Sequence, residues 1–161
     1  MSSERLRIED LAIDLITGNG IRSMVRDVYL VLKVAQPLSL VGETGCGKTL
    51  IAQAILGLLA PDMRAKGRIE YRGQNLLGLS RSEMRRLWGR NIFLFPQEPI
   101  LALTPTMRAF SQVREVFAWI RRHDGRDSSK RTRSAFIRAG LTSLSDWRKY
   151  PCQLSGGMRQ R

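Results

Sequence analysis

Two periodicities divide this chain. Residues 6–15 (LRIEDLAIDL) alternate apolar and polar side chains for much of their length, the period-two signature of a half-buried strand. Gly18-Asn19-Gly20 is strong turn chemistry, and a second alternating run covers residues 24–34. Together they predict an antiparallel unit leading into a short apolar strand carrying Leu38, Leu40 and Val41. Past residue 49 the period lengthens. Ile51, Ala54, Ile55 and Leu58 mark one helical face, while Leu50, Ala52 and Leu59 leave little polar surface elsewhere. Such a helix is expected to lie buried against a sheet and to stop near Ala60-Pro61.

Further along, residues 67–73 (GRIEYRG) read as a short strand closed by a turn. Residues 80–88 read as a short basic helix, with Ser80 as its cap and Glu83 completing a capping box. Residues 91–95 (NIFLF) predict a compact buried strand ended by Pro96. Met107, Phe110, Val113, Phe117 and Ile120 recur at helical spacing, giving a long amphipathic helix to about Arg122. Trp119 falls off that stripe; it is a partner contact or, the favoured expectation, a residue packed locally under a loop. A polar loop is expected over residues 123–129, then a second basic helix over 129–139 that ends at Gly140. There is no internal repeat or low-complexity tract.

Composition narrows the class. A chain of 161 residues with 43% apolar content can build a real core. Its charged start, MSSERLRIED, is not a secretory signal, and its longest nearly apolar stretch, residues 51–60, is too short to span a bilayer. A protein that is soluble or peripheral is expected. Two cysteines, Cys46 and Cys152, argue against a disulfide framework, and with His123 as the sole histidine no structural metal is expected. Net charge is +13, all of it beyond residue 60, because residues 1–60 carry 6 basic and 6 acidic side chains. The basic part faces something anionic or is a solvated surface; the dispersion of its arginines along helices favours the second.

The chemistry concentrates in Gly42-Glu43-Thr44-Gly45-Cys46-Gly47-Lys48-Thr49, a G-x-x-x-x-G-K-[ST] run set between an apolar segment and a helix. Gly42, Gly45 and Gly47 permit backbone conformations and close approaches that a Cβ would obstruct. Their N–H groups, with those opening the helix, can converge on phosphate oxygens with the helix dipole behind them. Lys48 supplies a point charge for β- and γ-phosphates, and the Thr49 hydroxyl can ligate Mg²⁺. The plain alternative is a glycine-rich turn with a lysine nearby. Near the other end, Ser155-Gly156-Gly157 sits where a helix should begin, so free N–H groups and a hydroxyl point at an incoming anion. Alone, it is equally an ordinary helix cap.

Three stretches in order, GETGCGKT, FLFPQEPILALTPTMRAFSQVREVF and YPCQLSGGMRQR, give the chain its resemblance to the ATPase subunits of ATP-binding cassette (ABC) transporters. It looks closest to the oligopeptide/dipeptide/nickel importer branch, and the resemblance covers nearly all the sequence. It implies an α/β fold: a P-loop NTPase core with an antiparallel β subdomain and a helical subdomain. The implied boundaries are 1–96 for the ATP-binding core and β subdomain, 97–155 for the Q-loop and helical subdomain, and 156–161 for the start of the signature helix. By the same resemblance, Gly42, Glu43, Thr44, Gly45, Cys46, Gly47, Lys48, Thr49 and Leu50 bind ATP. Leu154, Ser155, Gly156, Gly157 and Met158 close on the ATP of a second ABC ATPase subunit. Gln97 matches the glutamine that reaches Mg²⁺, also held by Thr49, and the attacking water; otherwise it is a polar loop residue. The implied partners are transmembrane permease subunits and, indirectly, a solute-binding protein, with no nucleic acid. The implied location is cytoplasmic, on the inner face of the membrane.

The sequence also departs from the family pattern. Leu15 stands where an aromatic residue normally stacks on adenine, so weaker ATP binding is expected, stacking being worth about 1–3 kcal/mol per base. Ala35-Gln36 replaces the usual Gly-Glu turn, and Cys152 a common histidine. The family's Asp-Glu strand (Walker B), D-loop and switch histidine follow the signature and are not in this sequence, so the C-terminal half of the nucleotide-binding domain is read as absent. The 161 residues alone are therefore expected to show no turnover and to leave a slot in the sheet, with a poorly soluble or molten fold. The function implied is ATP-driven uptake of peptides or a similar small solute. The alternatives are a truncated fragment that binds nucleotide weakly without turnover, or a non-transport ABC-type ATPase. A nucleic-acid-associated ATPase is disfavoured, because the basic helices lack interleaved aromatics.

Overall fold

The structure, a computed structural model, describes residues 4–96, 98, 102–121 and 125–161. The chain divides into two compact units, Met1–Phe93 and Leu94–Arg161.

The first unit is built on a four-stranded antiparallel sheet. Strands β1 (Glu4–Thr17), β2 (Gly20–Lys33), β3 (Met63–Tyr71) and β4 (Gln74–Asn75) lie in the order β2-β1-β3-β4. β1 and β2 meet through the two-residue turn Gly18-Asn19, and the Thr17 hydroxyl donates to the Gly20 carbonyl at 2.8 Å. The alternation in β1 slips once. Leu6 and Ile8 are buried, then Leu11 and Ile13, so two residues instead of one separate the pairs at the slip. One extra residue is accommodated there against both neighbours, since Ile8↔Leu30 is followed by Leu11↔Val28 and Glu9↔Arg68 by Ala12↔Lys66. Asp10 takes φ 49° at this bulge, and any side chain at Gly67 would put its Cβ against the Asp10 carbonyl oxygen. The bulge restores the apolar face to the core.

Helix α1 (Lys48–Leu56) lays Ile51 and Ala54 on that face, in one cluster with Ile8, Leu11, Ile13 and Ile69. It ends earlier than expected. Gly57 adopts φ 64° and the N–H groups of Gly57 and Leu58 return to Ala54 and Gln53, a left-handed glycine cap placed ahead of Pro61. The helix is apolar nearly all round, yet Leu58, just beyond it, is exposed. β3 begins four residues before the expected start, and the Arg72-Gly73 turn leads into the two-residue β4. Helix α2 (Arg81–Leu87) has the capping box read from the sequence: the Ser80 N–H donates to Glu83 Oε2 at 2.8 Å and the Glu83 N–H to Ser80 Oγ at 3.3 Å. The Trp88 indole N–H donates to the Leu56 carbonyl at 3.0 Å, holding the end of α1.

Two expected strands are not formed. Residues 36–43 are irregular, and of residues 91–95 only Ile92 makes an isolated bridge, to Trp88. Val41 is 95% exposed, and Phe93, Leu94 and Phe95 are exposed too. A strand requires a neighbour for its backbone groups, and beyond the Ile92 bridge no described segment pairs with either stretch.

The described residues of the second unit form α3 (Ala109–Arg121), α4 (Gly125–Arg138), α5 (Leu144–Trp147), a 3-10 turn (Pro151–Gln153) and α6 (Gly156–Gln160). Its core joins Ala109, Phe136, Leu141, Trp147 and Leu154. Phe110 stacks on Trp147 at 5.6 Å, and the Trp147 indole N–H donates to the Leu141 carbonyl at 2.6 Å. α4 starts at Gly125, so residues expected in a polar loop form its first turn; Asp127 accepts from Arg131 one turn on, at 2.8 Å. Trp119 does not pack under a loop: it is 56% exposed.

Candidate functional site

The loop between residues 42 and 47 is held from below by β2. Gly47 has φ 95°, and a Cβ on it would lie 2.6 Å from a methyl of the buried Val25. Gly45 is likewise left-handed, at φ 88°. Gly42 faces inward, where a Cβ would lie 2.7 Å from Cys46 Sγ. The loop is thus a tight cradle at both ends, and side chains at these two glycines would fill it. Val25 is the contact that sequence reasoning missed, because alternation marks it only as one more buried strand position.

Lys48 opens α1 and curls back over the loop. Its ammonium donates to the Gly42 carbonyl at 2.7 Å and the Glu43 carbonyl at 2.6 Å, and lies 3.3 Å from Cys46 Sγ. These neutral acceptors orient the charge without cancelling it, and no described carboxylate forms an ion pair with Lys48. The N-cap of α1 is Gly47 with no side-chain hydrogen bond, so no capping side chain competes for the helix's first N–H groups. Glu43, Thr44, Cys46 and Thr49 are exposed and Leu50 is half-buried, with Thr49 next to Lys48 at the start of α1. The arrangement can receive an anion: an uncompensated ammonium, free backbone donors and the positive end of a helix converge on one cradle. A triphosphate with Mg²⁺ fits this donor set, the hydroxyl of Thr49 being a hard oxygen ligand.

Residues 154–158 lie in the second unit. Ser155 caps α6, its hydroxyl accepting the Met158 N–H at 3.3 Å. Leu154 is buried in the apolar core and accepts from Arg159 Nε at 2.9 Å through its carbonyl, which anchors the turn. Gly156 and Gly157 are exposed, with no atom within 4 Å of a built Cβ and no positive φ. Among the described residues, no contact requires glycine at these positions. Gln97 lies outside the described residues.

Two departures noted in the sequence acquire a geometry. Leu15 is half-buried and pairs with Arg22 on one side and Met63 on the other. Ala35 sits at φ 58°, a left-handed conformation that glycine adopts without strain. Sequence reasoning also missed Asp14, a buried carboxylate on β1 facing Arg26 at 3.4 Å and Lys66 at 3.2 Å.

The family described as "ABC transporter" matches residues 25–161. The dipeptide transport ATP-binding protein DppD of Bacillus subtilis is 34% identical over 97% of this chain and 48% of its own length. The oligopeptide transport ATP-binding protein OppD of Salmonella typhimurium is 32% identical over 97% of this chain and 47% of its own. The chain thus spans about half the length of the curated relatives it matches. Among solved structures, that of MJ0796, described as a bacterial ABC transporter cassette, superposes with a TM-score of 0.79 at 23% identity, over 96% of this chain and 65% of that one. A second MJ0796 structure, described as a post-hydrolysis state bound to ADP and Pi, gives 0.77 over the same shares. The family match over most of the chain establishes that it belongs to the ABC transporter family.

Proposed function

We propose that this chain is the nucleotide-binding part of an importer's ATP-binding subunit, serving uptake of peptides or a similar small solute. The observation that carries it is Lys48, tied to two loop carbonyls yet without a counter-charge among the described residues, at the mouth of a glycine cradle. Gly42, Gly45 and Gly47 leave room for phosphate oxygens. The loop from Glu43 to Cys46 and the first turn through Leu50 offer backbone donors, and Thr49 would hold Mg²⁺. ATP, when bound, supplies the triphosphate whose charge these groups are arranged to meet and the bond whose hydrolysis drives transport. Gln97 is assigned by sequence to the Mg²⁺ and water region.

Leu154 to Met158 are assigned to the nucleotide of a second ATPase subunit. The open glycines support this: no described atom lies within 4 Å of a Cβ built at either, so the turn leaves room for an incoming anion. The reading further includes permease partners and a peripheral position on the inner face of the membrane. No helix among the described residues is long and apolar enough to cross a membrane.

Calorimetry with Mg-ATP tests the proposal. Lys48→Ala should abolish measurable heat, and unchanged affinity would sink the reading. Leu15→Tyr should tighten ATP binding by about 1 kcal/mol or more through stacking; no change would remove Leu15 from the base site.

A further inference from the structure

The sheet face that carries α1 is closed on one side of the glycine cradle and open on the other. Gly47 rests on Val25, which pairs with Ile13 of β1. In one direction along β1 the next core positions, Leu11 and Ile8, are 0% and 1% exposed and share a cluster with Ile51 and Ala54 of α1. In the other, two residues and so about 7 Å on, Leu15 is only half-buried and pairs with Arg22 of β2. Residues two apart on a strand share a face, as do cross-strand partners. Leu15 and Arg22 therefore stand on the face of Ile13 and Val25, on the open side of the cradle.

Arg22 is exposed, and its side chain has no hydrogen bond, ion pair or ring contact among the described residues. Asp14, the carboxylate between Ile13 and Leu15, belongs to the opposite face and is engaged by Arg26 at 3.4 Å and Lys66 at 3.2 Å. A free guanidinium on a strand is ordinarily a solvated charge. Here it neighbours a cradle shaped for phosphates, on the one side where that face is not covered by α1. Leu15 offers an incoming base an apolar floor but no ring. A guanidinium is planar and weakly hydrated, and it stacks on π faces in a way that an ammonium does not. The strand partner of Leu15 thus supplies the flat surface that Leu15 lacks.

We propose that Arg22 is the base-contacting residue of this site: its guanidinium plane stacks on the purine of a nucleotide whose phosphates occupy the cradle, with Leu15 beneath the ring. The inference rests on the nucleotide reading above and adds to it the side chain that holds the base. A stacked guanidinium meets the π face and reads no base edge, so the site separates ATP from GTP only weakly.

The test measures binding of Mg-ATP, Mg-GTP and Mg-tripolyphosphate, which has no base, to the 161-residue chain by calorimetry. Arg22→Ala should weaken ATP and GTP about fivefold or more and leave tripolyphosphate unchanged. Arg22→Lys, which keeps the charge and loses the plane, should behave like Arg22→Ala. Arg22→Trp, an aromatic that a strand accommodates, should bind both nucleotides at least as tightly as the wild type. Equal losses for ATP and tripolyphosphate would make Arg22 a mere source of charge and overturn the proposal. Full retention of ATP affinity in Arg22→Ala or in Arg22→Lys would overturn it as well. So would a preference for GTP of about tenfold or more that vanishes in Arg22→Ala, since the guanidinium would then be reading the base edge. Failure of the nucleotide reading looks different: the wild type would bind none of the three ligands, or Lys48→Ala would bind all three as well as the wild type does.

Discussion

Strand β1 and the segment 37–41 are both apolar-rich, both lie in the first unit, and both read as strands from their pattern. β1 is paired along both edges, to β2 and β3, and buries Leu6, Ile8, Leu11 and Ile13. The segment 37–41 pairs with nothing described and leaves Leu38, Leu40 and Val41 exposed. The lesson is that an apolar pattern permits a strand, while a neighbour decides it. β1 finds its neighbours in its own hairpin, two residues away, and across the sheet in β3. The glycine-rich loop 42–47 is nonetheless shaped without a strand beneath it, because Val25 of β2 and the Lys48 ammonium hold its two ends.

The sharpest way to break this contrast is in the core. Ile69→Ala, at a fully buried position on β3, should cost about 2–5 kcal/mol in a denaturant titration. Val41→Ala, at an almost fully exposed one, should stay within about 0.5 kcal/mol. Similar costs would mean that the 37–41 segment is packed in solution. A smaller effect is expected at the junction of the two regions. Ala35→Gly relieves a left-handed alanine at φ 58° just past the end of β2, and should raise stability by up to about 1 kcal/mol despite glycine's greater freedom when unfolded.

An effect of similar size tests an element that relies on no neighbour for its start. In α2, Ser80→Ala should cost about 1 kcal/mol, the usual value of an N-cap. Hydrogen bonds from the Ser80 hydroxyl and then its backbone N–H hold the Glu83 carboxyl below its ordinary value, with Arg86 adding to the shift. The box therefore contributes above the ordinary carboxylate range, and that contribution is lost as pH falls through the lowered folded value. Helicity of α2 followed by amide NMR should decline over that acid window in the wild type and show a weaker dependence in Ser80→Ala.

Local chemistry was legible in the sequence. The Gly18-Asn19 turn, the Ser80–Glu83 box, the Ser155 cap and the glycine-lysine loop each depend on residues within a few positions of one another, so spacing alone specified them. The family followed from the order of three such motifs. What only the tertiary structure decided were contacts between distant residues: Val25 against Gly47, Asp14 between Arg26 and Lys66, and the bulge at Asp10 that keeps β1 in phase with Gly67. It also decided that residues 37–41 and 91–95 do not form strands, and that Trp119 stands in solvent. The physical reason is common to all of these: a side chain's own sequence sets which conformations are cheap, and burial and pairing by other segments select among them.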